Sequence, residues 1–190
     1  YLLNKHNIIH NDLHYENIII KNKTSKPIII DFGLSYNADK MFNRNDIIKY
    51  NLNYLKRFFM DFREDSYNHN IEKRFISFIS YNKTPNHNIN LNFNFENNNL
   101  TKNNVDFFIH DAMQSIMMNK EISGFYTDKE FNYYKTSLEK FYYKYLNKEK
   151  YKYYSDIINE LLPLVFEFED LYKLSINYLI IYYFKQDFIN

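Results

Sequence analysis

Three oxygen-bearing side chains near the start of the chain are candidates for joint chemistry. Asp12 and Asn17 lie in one short polar string, and Asp31 follows fourteen residues after Asn17. Carboxylate and amide oxygens are the ligands that a hard divalent cation such as Mg²⁺ prefers. A single Asp is most often a turn or cap residue, so the hypothesis of a metal-dependent site depends on the set of three.

The elements that must position these side chains are two short runs rich in β-branched residues. The runs cover 17–21 and 27–31, and the polar connection between them predicts a β-hairpin. Such a hairpin holds Asp12 and Asn17 on its approach and Asp31 on its exit. The sequence therefore predicts that the three side chains meet at one end of the hairpin and face one cleft.

The remainder of the chain is predicted to be mainly helical, which makes the predicted fold class α+β. Apolar residues recur there at three- and four-residue spacing, and Thr127 or Asp128 has the side chain of a helix N-cap. The Asn-rich residues 82–104 are predicted to form a long loop or partly disordered insertion without a catalytic group, because Asn side chains compete with regular backbone hydrogen bonding. The predicted helices cover 44–62, 71–81, 105–119, 127–146 and 151–167.

Composition limits the classes of function. The 190 residues are 45% hydrophobic, which is enough for one ordinary globular domain or a piece of a larger protein. With 24 basic and 23 acidic residues, the net charge of +1 gives no global field that would attract nucleic acid or an anionic membrane, so neither is predicted as a partner. The absence of cysteine excludes disulfides and zinc–thiolate sites.

The sequence shows neither a secretory signal nor a predicted transmembrane helix. Its most apolar stretch, 171–184, is too short for a bilayer of about 30 Å and contains Lys173, which favours a buried helix. An intracellular location is therefore expected. The chain begins at Tyr1, without Met, inside an apparent helical pattern, and we interpret it as a fragment of a longer protein.

The sequence around these residues resembles two motifs of eukaryotic-type protein kinases. In that family an Asn lies five residues after the catalytic Asp, and a short hairpin then leads to the magnesium-binding Asp-Phe-Gly sequence. Asp12, Asn17 and Asp31 comply with this pattern, and Gly33 is one of only two glycines in the chain. The matching sequences are His10-Asn11-Asp12-Leu13-His14-Tyr15-Glu16-Asn17 and Asp31-Phe32-Gly33-Leu34.

The resemblance implies an ATP-dependent phosphotransferase, most closely a Ser/Thr-type protein kinase. It implies the C-terminal lobe of the protein-kinase fold with the ATP-covering N-terminal lobe absent, because no Gly-rich phosphate loop or strand lysine is found. Catalysis in this family is mainly positioning plus Mg²⁺, since negative charge spreads over the oxygens of the transferred phosphoryl group. ATP and Mg²⁺ are the implied cofactors, and the missing lobe is an implied partner without which ATP binding is expected to be poor.

The resemblance also implies roles for individual residues. Asp12, His14 and Asn17 would be the catalytic residues, and Asp12 would accept or orient the proton of the acceptor hydroxyl. Asn17 and Asp31 would hold Mg²⁺ and contact the nucleotide. The remaining implied site residues are Ile19 and Ile30 as the floor of the nucleotide pocket, Phe32 packed beneath the site, and Gly33 in the turn that aims Asp31.

Three departures from the protein-kinase pattern leave the acceptor open. Asn11 stands where Arg usually precedes the catalytic Asp, which removes the usual basic pocket for a phosphorylated activation loop. His14 replaces the usual Lys, as in many aminoglycoside-phosphotransferase-like kinases, and the His-Asn-Asp triplet resembles choline-kinase-like enzymes. No Ala-Pro-Glu motif follows. The hydroxyl acceptor is therefore a protein or a small molecule, although Asp-Phe-Gly-Leu is the protein-kinase form of the metal loop.

A weaker landmark lies near the end of the sequence. The run Asp170-Leu171-Tyr172-Lys173-Leu174-Ser175 resembles the start of the central helix of the kinase C-terminal lobe, whose Asp holds the catalytic-loop backbone. Together with 72–79 and 138–143, the loop resembles kinase-like proteins of large DNA viruses, for which the host cytoplasm or the virion is implied. The predicted organisation is 1–36 for the catalytic loop, hairpin and magnesium loop, 37–167 for an extended helical region, and 168–190 for the core helix.

Two alternatives belong to other classes of function. A pseudokinase would keep the fold as an interaction scaffold without turnover, although all three site positions retain their residue types. His10, Asp12 and His14 alternate with a period of two, so on a strand they would share a face and could bind a transition metal, as in metal-dependent hydrolases. No further His-rich cluster accompanies them, which favours the kinase hypothesis.

Overall fold

The structure is a computed structural model that describes residues 5–22, 24–41, 70–80, 98–118, 124 and 126–187. Within these residues the fold is α+β and mainly helical, as predicted, with two small antiparallel sheets of two strands each. The chain divides into two compact units. We call Tyr1–Glu64, Asn68–Asn70 and Leu164–Asn190 the loop unit, and Asp65–Tyr67 with Ile71–Pro163 the helical unit.

The loop unit is built on the predicted hairpin. Its strands are β1 (Ile8–Ile9), β2 (Ile18–Lys21), β3 (Lys26–Ile29) and β4 (Tyr36–Asn37). The β-branched Ile residues favour extended backbone, and β2 pairs with β3 so that Ile18 lies opposite Ile29. The Ile30 N–H donates to the Asn17 carbonyl at 3.0 Å, which extends the pairing beyond the strands. β1 pairs with β4 in the second sheet.

The strand ends differ from the prediction, and the differences fall on site residues. Asn17 ends the 3₁₀ turn Tyr15–Asn17, and Asp31 is the N-cap of the 3₁₀ turn Phe32–Leu34. Both residues were predicted to be the outer ends of strands. In a strand, successive side chains point to opposite faces of the sheet. Because Asn17 and Asp31 lie in turns, this rule does not set the directions of their side chains.

The helical unit is packed around aromatic side chains. Its helices are α1 (Ile71–Ser80), α2 (Lys102–Met118) and α3 (Asp128–Tyr143), followed by the 3₁₀ turn Lys144–Leu146 and the first part of α4 (Tyr154–Asp187). Phe75 is fully buried, and its ring centroid lies 4.4 Å from that of Tyr142 and 4.9 Å from that of Phe108. Aromatic residues therefore supply much of the packed core of this unit.

The start of α3 is fixed by a capping box. The Thr127 hydroxyl accepts a hydrogen bond from the Glu130 N–H at 3.3 Å, and the Glu130 carboxylate accepts one from the Thr127 N–H at 2.9 Å. These reciprocal bonds satisfy backbone groups that the first helical turn leaves without partners. Of the two predicted caps, Thr127 is the one that the structure uses.

The predicted loop 82–104 extends too far toward the C-terminus. Helix α2 already begins at Lys102, and Asn98 is buried with its amide donating to the carbonyls of Tyr145 at 3.2 Å and Tyr151 at 2.7 Å. The Asn side chain, which elsewhere hydrogen-bonds to nearby backbone groups, here donates to backbone carbonyls of a distant segment. Residues 82–97 and the predicted helix 44–62 lie outside the described residues.

Helix α4 replaces two predicted helices with one. The sequence predicts a helix over 151–167 and a separate core helix from Asp170, whereas α4 runs through both with Pro163 inside it. Pro163 cannot donate the usual intrahelical hydrogen bond, and the two units divide directly after it. Although α4 has 34 residues, none of the described helices combines the length and the apolarity needed to cross a membrane.

Candidate functional site

Residues 10–14 form an irregular loop between β1 and the 3₁₀ turn that leads into β2. Asn11 has a φ of 62°, a left-handed conformation that Asn adopts more readily than most residues. His10 and Asn11 are buried, while the side chains of Asp12 and His14 are 38% and 37% exposed. The alternation that the metal-hydrolase alternative requires is therefore absent, because these residues do not form a strand.

His10 packs beneath the loop as a structural residue. Its side chain is fully buried, and Nε2 lies 2.8 Å from the Ile30 carbonyl oxygen, so this nitrogen carries the proton and donates. The ring centroid is 4.8 Å from that of Phe32. Within the described part of the chain, no hydrogen-bonding partner reaches the buried Nδ1. These contacts fasten the loop to the exit of the hairpin.

Asp170 of α4 holds the backbone at the start of the loop. One carboxylate oxygen accepts the His10 N–H at 2.7 Å, and the other accepts the Asn11 N–H at 3.0 Å. Hydrogen bonds to a charged acceptor are roughly twice as strong as those between neutral groups. The contacts match the role that the kinase resemblance implies for Asp170.

Asn17 is buried, and its amide nitrogen is oriented by two neighbours. Nδ2 donates to the Asp12 carbonyl at 2.8 Å and lies 3.0 Å from His14 Nε2. The same nitrogen is 3.4 Å from Asp12 Oδ2. These contacts fix the orientation of the amide, so Oδ1 is the atom of Asn17 that can act as a cation ligand.

His14 lies between the candidate base and the candidate metal ligand. Because Nε2 accepts a hydrogen bond from Asn17, it carries no proton, and the proton of the neutral ring is on Nδ1. Nδ1 is 3.8 Å from the Glu16 carboxylate, and Nε2 is 3.7 Å from Asp12 Oδ2. His14 thus supports the orientation of Asn17, a contact that sequence reasoning did not predict.

Asp31 leaves the hairpin in a left-handed conformation, with φ of 56° and ψ of 73°. Its exposed carboxylate accepts the Gly33 N–H at 3.2 Å. The left-handed backbone of this turn belongs to Asp31 and not to Gly33, because neither described glycine has a positive φ. Gly33 provides space, since a Cβ there would lie 3.1 Å from Asp31 Oδ1.

The three predicted site residues lie at the same end of the hairpin. The backbone pairing of Asn17 with Ile30 places Asp31 directly beside that pair. The hydrogen bond from Asn17 Nδ2 to the Asp12 carbonyl ties the loop to the same end. The structure therefore places Asp12, Asn17 and Asp31 at the same end of the hairpin, and a common cleft for their side chains stays a prediction.

The expected pocket-floor residues share one face of the hairpin. Ile19 lies opposite Ile28, and Ile30 follows two residues after Ile28, so strand alternation puts all three on one side. Ile19 is 49% exposed, which makes this an accessible apolar face. Phe32 contacts His10 but remains 43% exposed, so its expected packing beneath the site is only partial.

Sequence reasoning missed three side chains that hydrogen-bond to loop carbonyls. The bonds run from Ser35 Oγ to His10 at 3.2 Å, from Lys173 Nζ to Asn11, and from Asn177 Nδ2 to Leu13 at 3.0 Å. The signal that could have found two of them is the three- and four-residue spacing of Asp170, Lys173 and Asn177. Polar residues at this spacing share one face of an otherwise apolar helix.

Comparison with known proteins assigns no family. The chain matches no protein-family model, no curated protein and no solved structure. Among the residues that the structure describes, no group of three or more His, Cys, Asp or Glu side chains could hold a metal ion. Interpretation of the site therefore depends on the loop and hairpin geometry and on the resemblance of its motifs.

Proposed function

We propose that this chain carries the catalytic loop of a phosphotransferase that moves a phosphoryl group from ATP to a hydroxyl acceptor. The observation that supports this most strongly is the setting of Asn17. Its side-chain amide nitrogen donates to the Asp12 carbonyl at 2.8 Å. Its backbone carbonyl accepts the Ile30 N–H, and Ile30 immediately precedes Asp31. Two carboxylates and an oriented amide oxygen thereby lie at one end of the hairpin.

The oxygen donors of Asn17 and Asp31 suit Mg²⁺. This ion is usually held by one or two protein oxygens together with substrate phosphates and several waters. Two side-chain ligands suffice for such a site, so a larger cluster of acidic residues is not required. Bound there, Mg²⁺ would neutralise negative charge on the phosphate oxygens of ATP.

Asp12 is the proposed residue that orients the acceptor hydroxyl and takes its proton. Its side chain is 38% exposed, which leaves the carboxylate accessible to an acceptor. A positioned base contributes on the order of a hundredfold to ten-thousandfold to the rate. Loss of this carboxylate should therefore reduce turnover far more than nucleotide binding.

Two classes of acceptor remain as candidates. The Asp-Phe-Gly-Leu sequence that starts at Asp31 favours Ser or Thr of a protein. The second class, small alcohols such as choline or an aminoglycoside, is favoured by His14. Its Nε2 accepts a hydrogen bond from Asn17, a contact that the usual lysine cannot make because an ammonium has no acceptor.

The test measures phosphate transfer from radiolabelled ATP, with Mg²⁺ and with a chelator, to Ser/Thr peptides, choline and aminoglycosides. It uses the 190-residue chain and, in parallel, the longest chain that its gene encodes. Asp31→Asn should abolish transfer by weakening the metal site. Asp12→Asn should keep nucleotide binding and lower turnover by about a hundredfold or more. Asp39→Asn, a change of the same kind at an exposed residue, is the control and should keep the parent rate.

Each outcome separates the hypotheses. Equal transfer by the parent and by Asp31→Asn would reject the assignment of Asp31 as a metal ligand. Binding of ATP and Mg²⁺ without transfer to any acceptor would favour the pseudokinase hypothesis. If neither binding nor transfer is detected with either chain, the proposed function is wrong.

A further inference from the structure

Four consecutive carbonyl groups of the loop accept hydrogen bonds from side chains. The Asp12 carbonyl accepts from Asn17 at 2.8 Å. Ser35 donates to the His10 carbonyl, Lys173 donates to the Asn11 carbonyl, and Asn177 donates to the Leu13 carbonyl. Most protein hydrogen bonds of backbone carbonyls are to other backbone groups. The conformation of this loop is thus specified by side chains from several other segments.

One face of α4 makes four hydrogen bonds to the backbone of the loop. Asp170, Lys173 and Asn177 are separated by three and four residues, which stacks them along one side of a helix. Asp170 accepts from two loop N–H groups, and the other two donate to the carbonyls immediately before and after Asp12. The helix therefore fixes peptide groups on both sides of the proposed base.

Lys173 is buried, which is unusual for a lysine. Its side chain is 7% exposed, and Nζ lies 3.6 Å from the fully buried Glu169 carboxylate. Glu169 in turn accepts the Asn70 N–H at 3.2 Å. Burying an ion pair carries a desolvation cost that an apolar residue of similar size would avoid. The hydrogen bond to the Asn11 carbonyl gives this lysine a specific role at the loop.

Asn11 is the point at which the loop needs this support. Its left-handed backbone, with φ of 62°, is a conformation that persists when the surrounding structure over-determines it. Its N–H is held by Asp170, and its carbonyl is held by Lys173. Both ends of this residue are thus set by α4, one residue before Asp12.

We infer that Lys173 and Asn177 are positioning residues for Asp12. They hold the peptide groups of Asn11 and Leu13 and thereby keep the Asp12 carboxylate where an acceptor hydroxyl would meet it. The expected loss of turnover in variants of these residues rests on the proposed function. The expected loosening of the loop does not rest on it, so turnover and loop conformation are measured separately.

The experiment uses the full chain and three sets of variants. Asn177→Ala removes the donor to Leu13 at a half-buried position. Lys173→Met combined with Glu169→Gln removes the donor to Asn11 together with the buried carboxylate charge that Lys173 faces. Ser175→Ala is the matched control, because this exposed serine lies on the same helix and donates to the Leu171 carbonyl of that helix.

Amide hydrogen exchange at residues 10–14 is the first measurement. It should be about tenfold faster in the Asn177 variant and in the Lys173/Glu169 double variant, and unchanged in the control. The second measurement is steady-state phosphotransfer, where kcat should fall about tenfold to a hundredfold while KM for ATP stays unchanged. Lys173→Arg keeps a donor and should recover part of kcat.

Unchanged exchange in the loop would overturn the inference. Faster exchange with an unchanged kcat would also overturn it, because the hydrogen bonds would then be structural without positioning Asp12. If kcat falls as far in Lys173→Arg as in the double variant, this result would contradict a role for the hydrogen-bond donor at position 173. If neither the 190-residue chain nor the longest chain that its gene encodes transfers phosphate, the proposed function is wrong, and hydrogen exchange alone then decides whether α4 fixes the loop.

Discussion

The loop unit and the helical unit are held together by different interactions. Among the described residues, polar and apolar side chains are buried in equal number in the loop unit, whereas apolar side chains dominate the buried set of the helical unit. In the loop unit, Asp170 accepts from and Lys173 donates to backbone groups, whereas the ring cluster around Phe75 fills the core of the helical unit. Hydrogen bonds are directional and set a geometry, while apolar burial supplies most of the favourable free energy of folding.

Polar side chains of the helical unit have another arrangement. Glu160 accepts hydrogen bonds from Lys144 at 2.7 Å and Tyr151 at 2.6 Å, and Lys150 lies 3.7 Å away. This cluster is partly exposed and joins segments that the apolar core already brings together. This chain therefore separates the geometry of its candidate site from the main source of its stability, and four substitutions test that separation.

The largest effect is expected from Phe75→Ala. Removing this fully buried ring leaves a cavity beside Phe108 and Tyr142, and should lower the free energy of unfolding by about 3–5 kcal/mol. Urea titration followed by circular dichroism measures the loss. Tyr133→Ala removes an aromatic ring that is 76% exposed and should change stability by less than about 0.5 kcal/mol. Similar losses in both variants would contradict an aromatic core centred on Phe75.

Asp170→Asn should have a smaller effect on stability and a larger one on the loop. The substituted amide keeps one acceptor oxygen but places an NH₂ group against a backbone N–H, which should cost about 1–3 kcal/mol. Hydrogen exchange at His10 and Asn11 should accelerate, because these amides lose their carboxylate acceptor. A greater loss of stability than in Phe75→Ala, measured by the same urea titration, would reverse the comparison between the units.

Glu160 should make the helical unit sensitive to acid. Desolvation, the largest influence, raises the pKa of this carboxyl, but the hydrogen bonds and charges of Lys144, Tyr151 and Lys150 together lower it below its ordinary value of 4.5. The stabilisation is therefore fully present above pH 4.5 and is lost as the pH falls through the lower folded-state pKa.

Urea titrations at a series of pH values check this prediction. In Glu160→Gln the free energy of unfolding should fall less than in the parent as the pH is lowered below the ordinary pKa. The control Glu149→Gln changes an exposed carboxyl of the same type, and its free energy of unfolding should fall as it does in the parent. Parallel pH profiles for the parent and Glu160→Gln would show that this cluster does not contribute to the acid sensitivity of the unit.

The smallest effect is expected from Thr127→Ala. This change removes the hydroxyl that accepts the Glu130 N–H at the start of α3 and should cost about 1 kcal/mol, without altering hydrogen exchange in the loop unit. Thr136→Ala in the same helix is the matched control. Its hydroxyl bonds back to the Asn132 carbonyl, so its removal should be neutral or slightly stabilising. Equal losses in the two variants would argue against a specific capping contribution.

Local elements of this fold could be predicted because their determinants lie close together in the sequence. The runs of Ile specify the hairpin, and the residue types at the start of α3 narrowed its N-cap to Thr127 or Asp128. Predictions failed where distant residues decide the outcome. Asn98 lies in an irregular segment, as the predicted loop implies, but its burial against the carbonyls of Tyr145 and Tyr151 was not predicted.

The sequence by itself determined the mainly helical α+β character and brought Asp12, Asn17 and Asp31 to one end of a hairpin. Only the tertiary structure showed that Asp31, not Gly33, adopts the left-handed backbone, and that α4 holds the loop. The physical reason is how far apart in the sequence the interacting residues lie. Strand and helix periodicity relate residues a few positions apart, whereas the hydrogen bond from His10 to Asp170 joins residues separated by 160 positions. Such a bond depends on where folding brings two atoms in space, which local spacing does not specify.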